Sequence, residues 1–257
     1  MAPGTRSTPR PHRLGWKAWI GLATLLLAAL AFAFYWSAGF LDRDPVQLYG
    51  MPERPGTMPV AAIFLSGDMG IRYGMGSYVV ESLAGVGVPV YAIATSTMFA
   101  SRRSAVEVQA LLPDAIRETL RRSGAQKVVV IGQSFGADMA RVGMTSLPAD
   151  LRAKVAALVL IVPGSTAYFR ADPLGLAYIG TPDVDAAAAQ ALTWLPVTCI
   201  RGAEEADSLC PSLLAPNVRR ITLPGGHFLR MDHDLLVRTV FAALAPVLDT
   251  HLAVPAP

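Results

Sequence analysis

From residue 59 onward the chain alternates short apolar runs with longer stretches in which apolar positions recur every three or four residues. Val60–Leu65, Val88–Ile93, Val128–Ile131, Val155–Val162, Val197–Arg201 and Val218–Leu223 are runs of the first kind, rich in β-branched residues. A strand covered on both faces reads this way, whereas a strand with one wet face alternates. Between them the period changes. Ser104–Arg122 carries Val106, Leu111, Leu112, Ile116 and Leu120 on one side, and helices are also expected over about Met75–Ala84 and Leu235–Leu248. Strand, helix and strand in succession require crossovers, so the expected fold is α/β, a mostly parallel sheet with helices on both faces. Pro163–Pro182, with Pro and Gly among Tyr168, Phe169 and Tyr178, has neither period and is read as an irregular segment.

Ahead of residue 59 the pattern differs. Ala18–Leu41 is twenty-four residues without a charge, enough helix to cross about 30 Å of hydrocarbon. Trp16, Trp19, Tyr35 and Trp36 sit at its ends, as interfacial anchors do. Arg6, Arg10, Arg13 and Lys17 precede it, and Asp42, Arg43 and Asp44 follow. The positive-inside rule therefore leaves the N-terminus in the cytoplasm and exports the rest. Residues 1–17 read as a cytoplasmic tail without fixed structure, 18–41 as a transmembrane signal anchor, 42–58 as a Pro-rich linker and 59–257 as the folded domain. A cleaved signal peptide is the rival, because Ser37-Ala38-Gly39 offers small residues to a peptidase. Its apolar region would exceed the usual length of about 7 to 15 residues, which favours the anchor.

Charge narrows the function classes. The net charge is +3, but four of the 22 Lys+Arg precede the span, and the remaining 18 face 19 Asp+Glu. The exported part is slightly acidic, which disfavours a nucleic-acid partner. The two cysteines, Cys199 and Cys210, both lie in that part, where an oxidising compartment makes a disulfide the expected state. Neither a CxxC pair nor a His cluster points to a metal.

The chemistry concentrates after the third run. Gly132-Gln133-Ser134-Phe135-Gly136 fits G-x-S-x-G, with helix-compatible Ala137–Arg141 behind it. A strand turning sharply into a helix leaves no room for a Cβ beside the serine and lifts its Oγ above the sheet edge. Ser134 is then the expected nucleophile and the Phe135 N–H one oxyanion donor; a tight turn whose serine only caps the helix is the alternative. In the α/β-hydrolase fold, where such elbows occur, the partners follow in the order serine, acid, histidine at the carboxyl ends of later strands.

His227, in Leu223-Pro224-Gly225-Gly226-His227 after the last strand, is the expected base. His233, at the start of the final helix, is the runner-up, and His12 and His251 lie in the tails. In Gly202-Ala203-Glu204-Glu205-Ala206-Asp207, Glu205 is the first choice for the acid, with Asp207 and Glu204 left open. The second oxyanion donor is expected from the N–H of Asp68 or Met69, after the first strand, although Ser66-Gly67-Asp68 also reads as a plain turn. A serine triad calls for no cofactor.

These residues together resemble a known family. F-L-S-G-D, G-Q-S-F-G-A-D, V-T-C-I-R-G-A-E-E-A-D-S-L-C and L-P-G-G-H-F are similar to the bacterial virulence protein VirJ and the C-terminal domain of AcvB, over about Pro59–Leu248. There are two departures. The family's S-G-D-G-G-W is here Ser66-Gly67-Asp68-Met69-Gly70-Ile71, and its paired histidines are His227-Phe228. The resemblance implies a membrane-anchored periplasmic serine hydrolase that cleaves the aminoacyl ester of lysyl-phosphatidylglycerol. A cationic lysyl group calls for a carboxylate outside the triad. Asp68 and Asp138 are the expected binders, and Asp138 reads equally well as structural. Two other functions stay open: a general carboxylesterase or lipase whose acyl pocket is lined from Tyr168–Tyr178, and a non-catalytic accessory of a secretion system.

Overall fold

In the computed structural model, which describes residues 15–56 and 58–248, seven strands form one sheet. In chain order they are β1 (Val46–Tyr49), β2 (Met58–Leu65), β3 (Val90–Ile93), β4 (Ala125–Gln133), β5 (Val155–Ile161), β6 (Val197–Gly202) and β7 (Val218–Leu223). They lie side by side in the order β1-β3-β2-β4-β5-β6-β7. All neighbours run parallel except β1, which is antiparallel to β3. The expected tail as far as residue 14, His12, His251 and the last residues from 249 lie outside the described residues.

The continuous apolar runs are explained by the two faces of this sheet. Val128 and Val130 of β4 pack into one cluster with Leu158 and Leu160 of β5, under α4 (Ala105–Ser123) and α5 (Phe135–Thr145). Val129 and Ile131 point the other way, with Val159 and Ile161, under α2 (Gly76–Gly85) and α6 (His233–Leu248). Successive residues of a strand face opposite sides, so both sets must be apolar. The α4 helix starts at a capping box, in which the Glu107 N–H donates to Ser104 Oγ and the Ser104 N–H donates to Glu107 Oε2. Its left-handed C-terminal residue is Gly124, at φ 72°.

Two boundaries differ from expectation. The stretch 42–58 is not all linker, because β1 pairs Val46 with Ile93 and Tyr49 with Val90 at the sheet edge. The N-terminal helix α1 spans Trp16–Ser37, shorter at its C-terminus than the apolar run. Gly39, at φ 83°, turns the chain back onto the domain. There Ser96 Oγ donates to the Ala38 carbonyl and Thr97 Oγ1 to the Gly39 carbonyl, both from α3 (Thr95–Met98). Ala38 is thereby buried. The helix itself has no buried residue, and at mean hydropathy 2.0 it is long and apolar enough to cross a membrane.

Candidate active site

β4 ends at Gln133 and α5 begins at Phe135, so one residue makes the turn between them. Ser134 does so at φ 52°, ψ −124°, a left-handed conformation that a non-glycine residue adopts only under constraint. The constraint comes from its neighbours. A Cβ on Gly132 would lie 2.5 Å from the Gly136 carbonyl oxygen, and one on Gly136 would lie 2.2 Å from the carbonyl oxygens of Leu65 and Ser66. Only glycine fits either place, which is the physical content of the motif.

The structure brings Ser134, His227 and Glu205 into one hydrogen-bonded chain. Ser134 Oγ is 2.8 Å from His227 Nε2, and His227 Nδ1 is 2.7 Å from Glu205 Oε1. Glu205 Oε2 accepts the Gly202 N–H at 3.2 Å. The Glu205 side chain is 5% exposed and that of His227 44%, so the acid is sheltered while the imidazole edge faces the cavity. The loops carrying them nearly touch, since a Cβ on Gly202 would lie 2.3 Å from the Gly226 carbonyl oxygen.

The alternatives are placed elsewhere. Asp207 Oδ1 accepts the Ser165 N–H, Glu204 pairs with Arg230 at 3.3 Å, and His233 stacks on Tyr78. The expected disulfide is present: Cys199 in β6 is bonded to Cys210, bracketing the loop of Glu205.

The loop after β2 is fixed by Thr95, whose hydroxyl donates to the carbonyls of Ser66 and Gly67 at 2.9 Å. The Asp68 N–H belongs to the same peptide unit as the Gly67 carbonyl and so points away from Thr95. Phe135 is the first residue of α5, and its N–H has no carbonyl within the helix to receive it. Met69 lines the same cavity.

Over these loops lies the irregular segment that follows β5. Its Tyr178 donates to Asp68 Oδ2 at 2.7 Å, receives the Asp172 N–H and packs between the rings of Phe135 and Tyr168. Burial pushes the Asp68 carboxyl above the usual carboxylate range, although the Tyr178 hydrogen bond opposes it. The Tyr178 hydroxyl is itself pushed up, first by burial and then by the Asp68 charge.

Asp138 sits in the first turn of α5 and faces two ways. It lines the cavity, and its Oδ1 lies 3.7 Å from Nε of the fully buried Arg141. Arg141 in turn donates to the carbonyls of Asp185 and Ser165, holding the irregular segment down. Burial keeps the Asp138 carboxyl well above its ordinary range despite Arg141. Thr95 and Arg141 escaped the sequence reading, which placed Tyr178 in an aromatic stretch without its tie to Asp68. Only Arg141 carried a signal, its spacing of three from Asp138 on a helix.

The cavity has a volume of about 660 Å³. Six carboxylates line it, those of Asp68, Asp138, Asp172, Glu204, Glu205 and Asp207, and no lysine or arginine does. Among the described residues no group of three His, Cys, Asp or Glu is placed to hold a metal ion.

Residues 59–247 match the family model described as bacterial virulence protein (VirJ). No curated protein matches the chain. Among solved structures, Est1E from Butyrivibrio proteoclasticus is similar at TM-score 0.54 and 14% identity, covering 78% of this chain and 94% of that one. The esterase Pf2001 from Pyrococcus furiosus is similar at TM-score 0.52 and 16% identity, covering 76% and 85%. Carboxylesterase CesB (YbfK) from Bacillus subtilis reaches TM-score 0.55 at 14% identity, covering 86% and 98%. At such identities the likeness is one of fold, and the fold is that of the α/β-hydrolases.

Proposed function

Since the chain belongs to the family of the bacterial virulence protein VirJ, we propose that it is a membrane-anchored, exported serine hydrolase that cleaves the aminoacyl ester of lysyl-phosphatidylglycerol. The observation that carries this reading is the cavity beside Ser134, lined by six acidic side chains and by no lysine or arginine. An acyl group bearing ammonium charges suits it, whereas a fatty acyl chain would desolvate those carboxylates without compensation.

In this reading the Ser134 hydroxyl attacks the aminoacyl carbonyl while His227 Nε2 takes its proton. Glu205 accepts the Nδ1 proton in a hydrogen bond, which fixes the tautomer and stabilises the imidazolium. The N–H groups of Phe135 and of Asp68 or Met69 receive the oxyanion. His227 then protonates the departing glycerol oxygen, leaving lysine esterified to Ser134. Water activated by the same imidazole releases the lysine and restores the serine. Asp68 and Asp138, which line the cavity, are assigned the ammonium groups of the lysyl moiety. The α1 helix holds the enzyme at its lipid substrate, with the domain on the periplasmic side of the inner membrane.

A second reading, a carboxylesterase for uncharged esters, draws on the aromatic cluster of Phe135, Tyr168 and Tyr178. Both are tested with the full chain in detergent, offered lysyl-phosphatidylglycerol, alongside Ser134→Ala. Lysine release by the first and not the second supports the proposal. Fluorophosphonate labelling of Ser134 without lysine release moves the assignment to the second reading. A cellular phenotype that survives Ser134→Ala points instead to the accessory role.

A further inference from the structure

The end of the apolar helix and the mouth of the cavity are one structural unit. Ser37, the last residue of α1, hydrogen-bonds through its hydroxyl to the Tyr73 hydroxyl at 2.6 Å, and the Phe34 ring lies 5.9 Å from that of Tyr73. Tyr73 lines the cavity. A Cβ on Gly70, in the loop of Asp68, would lie 2.5 Å from the Ala38 carbonyl oxygen. A bilayer crossed by α1 therefore meets the domain at this mouth.

The mouth is also where large apolar side chains stand in the open. Leu174, Leu176 and Ile179, from the segment around Tyr178, and Phe228 and Met231, from the loop of His227, are 48% to 76% exposed. Leu174 and Phe228 line the cavity itself. Scattered singly such residues mean little, but five on the two segments that flank one opening make a surface that water disfavours. The exposed Arg72 adjoins it in sequence, beside Tyr73, where its head can meet lipid phosphates while its stem lies on apolar surface.

We propose that this rim docks on the lipid surface, with Leu176, Ile179 and Phe228 reaching the boundary between headgroups and acyl chains. The cavity then opens directly onto the headgroup layer. This inference rests on reading α1 as an anchor and deepens the proposed function, but it does not depend on which ester is cleaved.

The test uses the full chain in vesicles of phosphatidylcholine and phosphatidylglycerol. Both native cysteines are in the disulfide, so one introduced cysteine is a unique labelling site. Fluorophores at Leu176→Cys and Ile179→Cys are compared with one at Ala153→Cys, exposed at the opposite end of the sheet. Doxyl-labelled lipid is expected to quench the first two at least three-fold more than the third. Equal quenching at all three positions overturns the proposal and leaves the rim to a protein partner. Strong quenching without any lysine release would sink the proposed reaction and leave the docking surface standing.

Discussion

Glu205 holds His227 with one oxygen and its own β6 backbone with the other, at 2.7 Å from Nδ1 and 3.2 Å from the Gly202 N–H. The carboxylate is thus oriented by the strand end that carries it. Glu204 and Asp207, the neighbours that compete with it in the sequence, are tied to Arg230 and Ser165.

Replacing Glu205 should therefore act on turnover. Glu205→Gln keeps the shape but offers the wrong partner to the Nδ1 proton, and kcat is expected to fall by about 10³- to 10⁴-fold. Asp207→Asn should change kcat by less than about ten-fold, a small loss that follows from its contact with Ser165 rather than the imidazole. Steady-state kinetics on the two variants, with circular dichroism to check folding, separates them. A larger loss in Asp207→Asn would reassign the acid.

Asp68 predicts a pH dependence. Its carboxyl is raised chiefly by burial, so the folded state favours the protonated form. That preference stabilises the fold below the ordinary value of 3.8 and is lost as pH rises through the raised one. Asp68→Asn should accordingly raise Tm near neutrality relative to the native chain and flatten its pH profile in that window. The same titration governs substrate attraction. KM for a lysyl ester is expected to climb up to about ten-fold per pH unit below the Asp68 pKa, while KM for an uncharged acyl ester stays level.

The Asp138–Arg141 pair separates binding from structure. Arg141→Met leaves the buried Asp138 carboxyl without its partner and the Asp185 and Ser165 carbonyls without their donor, and should lower stability by about 3 kcal/mol, whereas adding Asp138→Asn should recover only the part that belongs to the pair. If Asp138 also meets the substrate, Asp138→Asn alone raises KM for the lysyl ester with little change in kcat. An unchanged KM makes the residue purely structural.

Removing the disulfide by Cys199→Ala with Cys210→Ala is expected to cost about 2 to 3 kcal/mol, since the closed loop is short. Thermal unfolding measures it. Activity at low temperature should persist, because Glu205 is also held through Gly202.

Much of this was legible in the sequence, for physical reasons. A parallel sheet hides both faces, so its strands had to be unbroken apolar runs, and the elbow had to be flanked by glycines that nothing else could replace. The missed strand β1 is four residues long, partly exposed and antiparallel at the edge, which leaves no run and no clear alternation to read. The choice among Glu204, Glu205 and Asp207 needed orientation, which spacing does not carry. The tie between Tyr178 and Asp68 spans 110 positions and joins an irregular segment to a turn, so no local pattern announces it.

The turn at Gly39 has a bearing on the life of the chain before it is an enzyme. Ser37-Ala38-Gly39, the stretch that offers small residues to a signal peptidase, ends up with Ala38 only 2% exposed and its carbonyl, like that of Gly39, held by α3. Once the domain has folded, a protease must first pull this stretch out. If the domain is exported as proposed, cleavage and folding are competitors in time, and a chain that folds first keeps its helix.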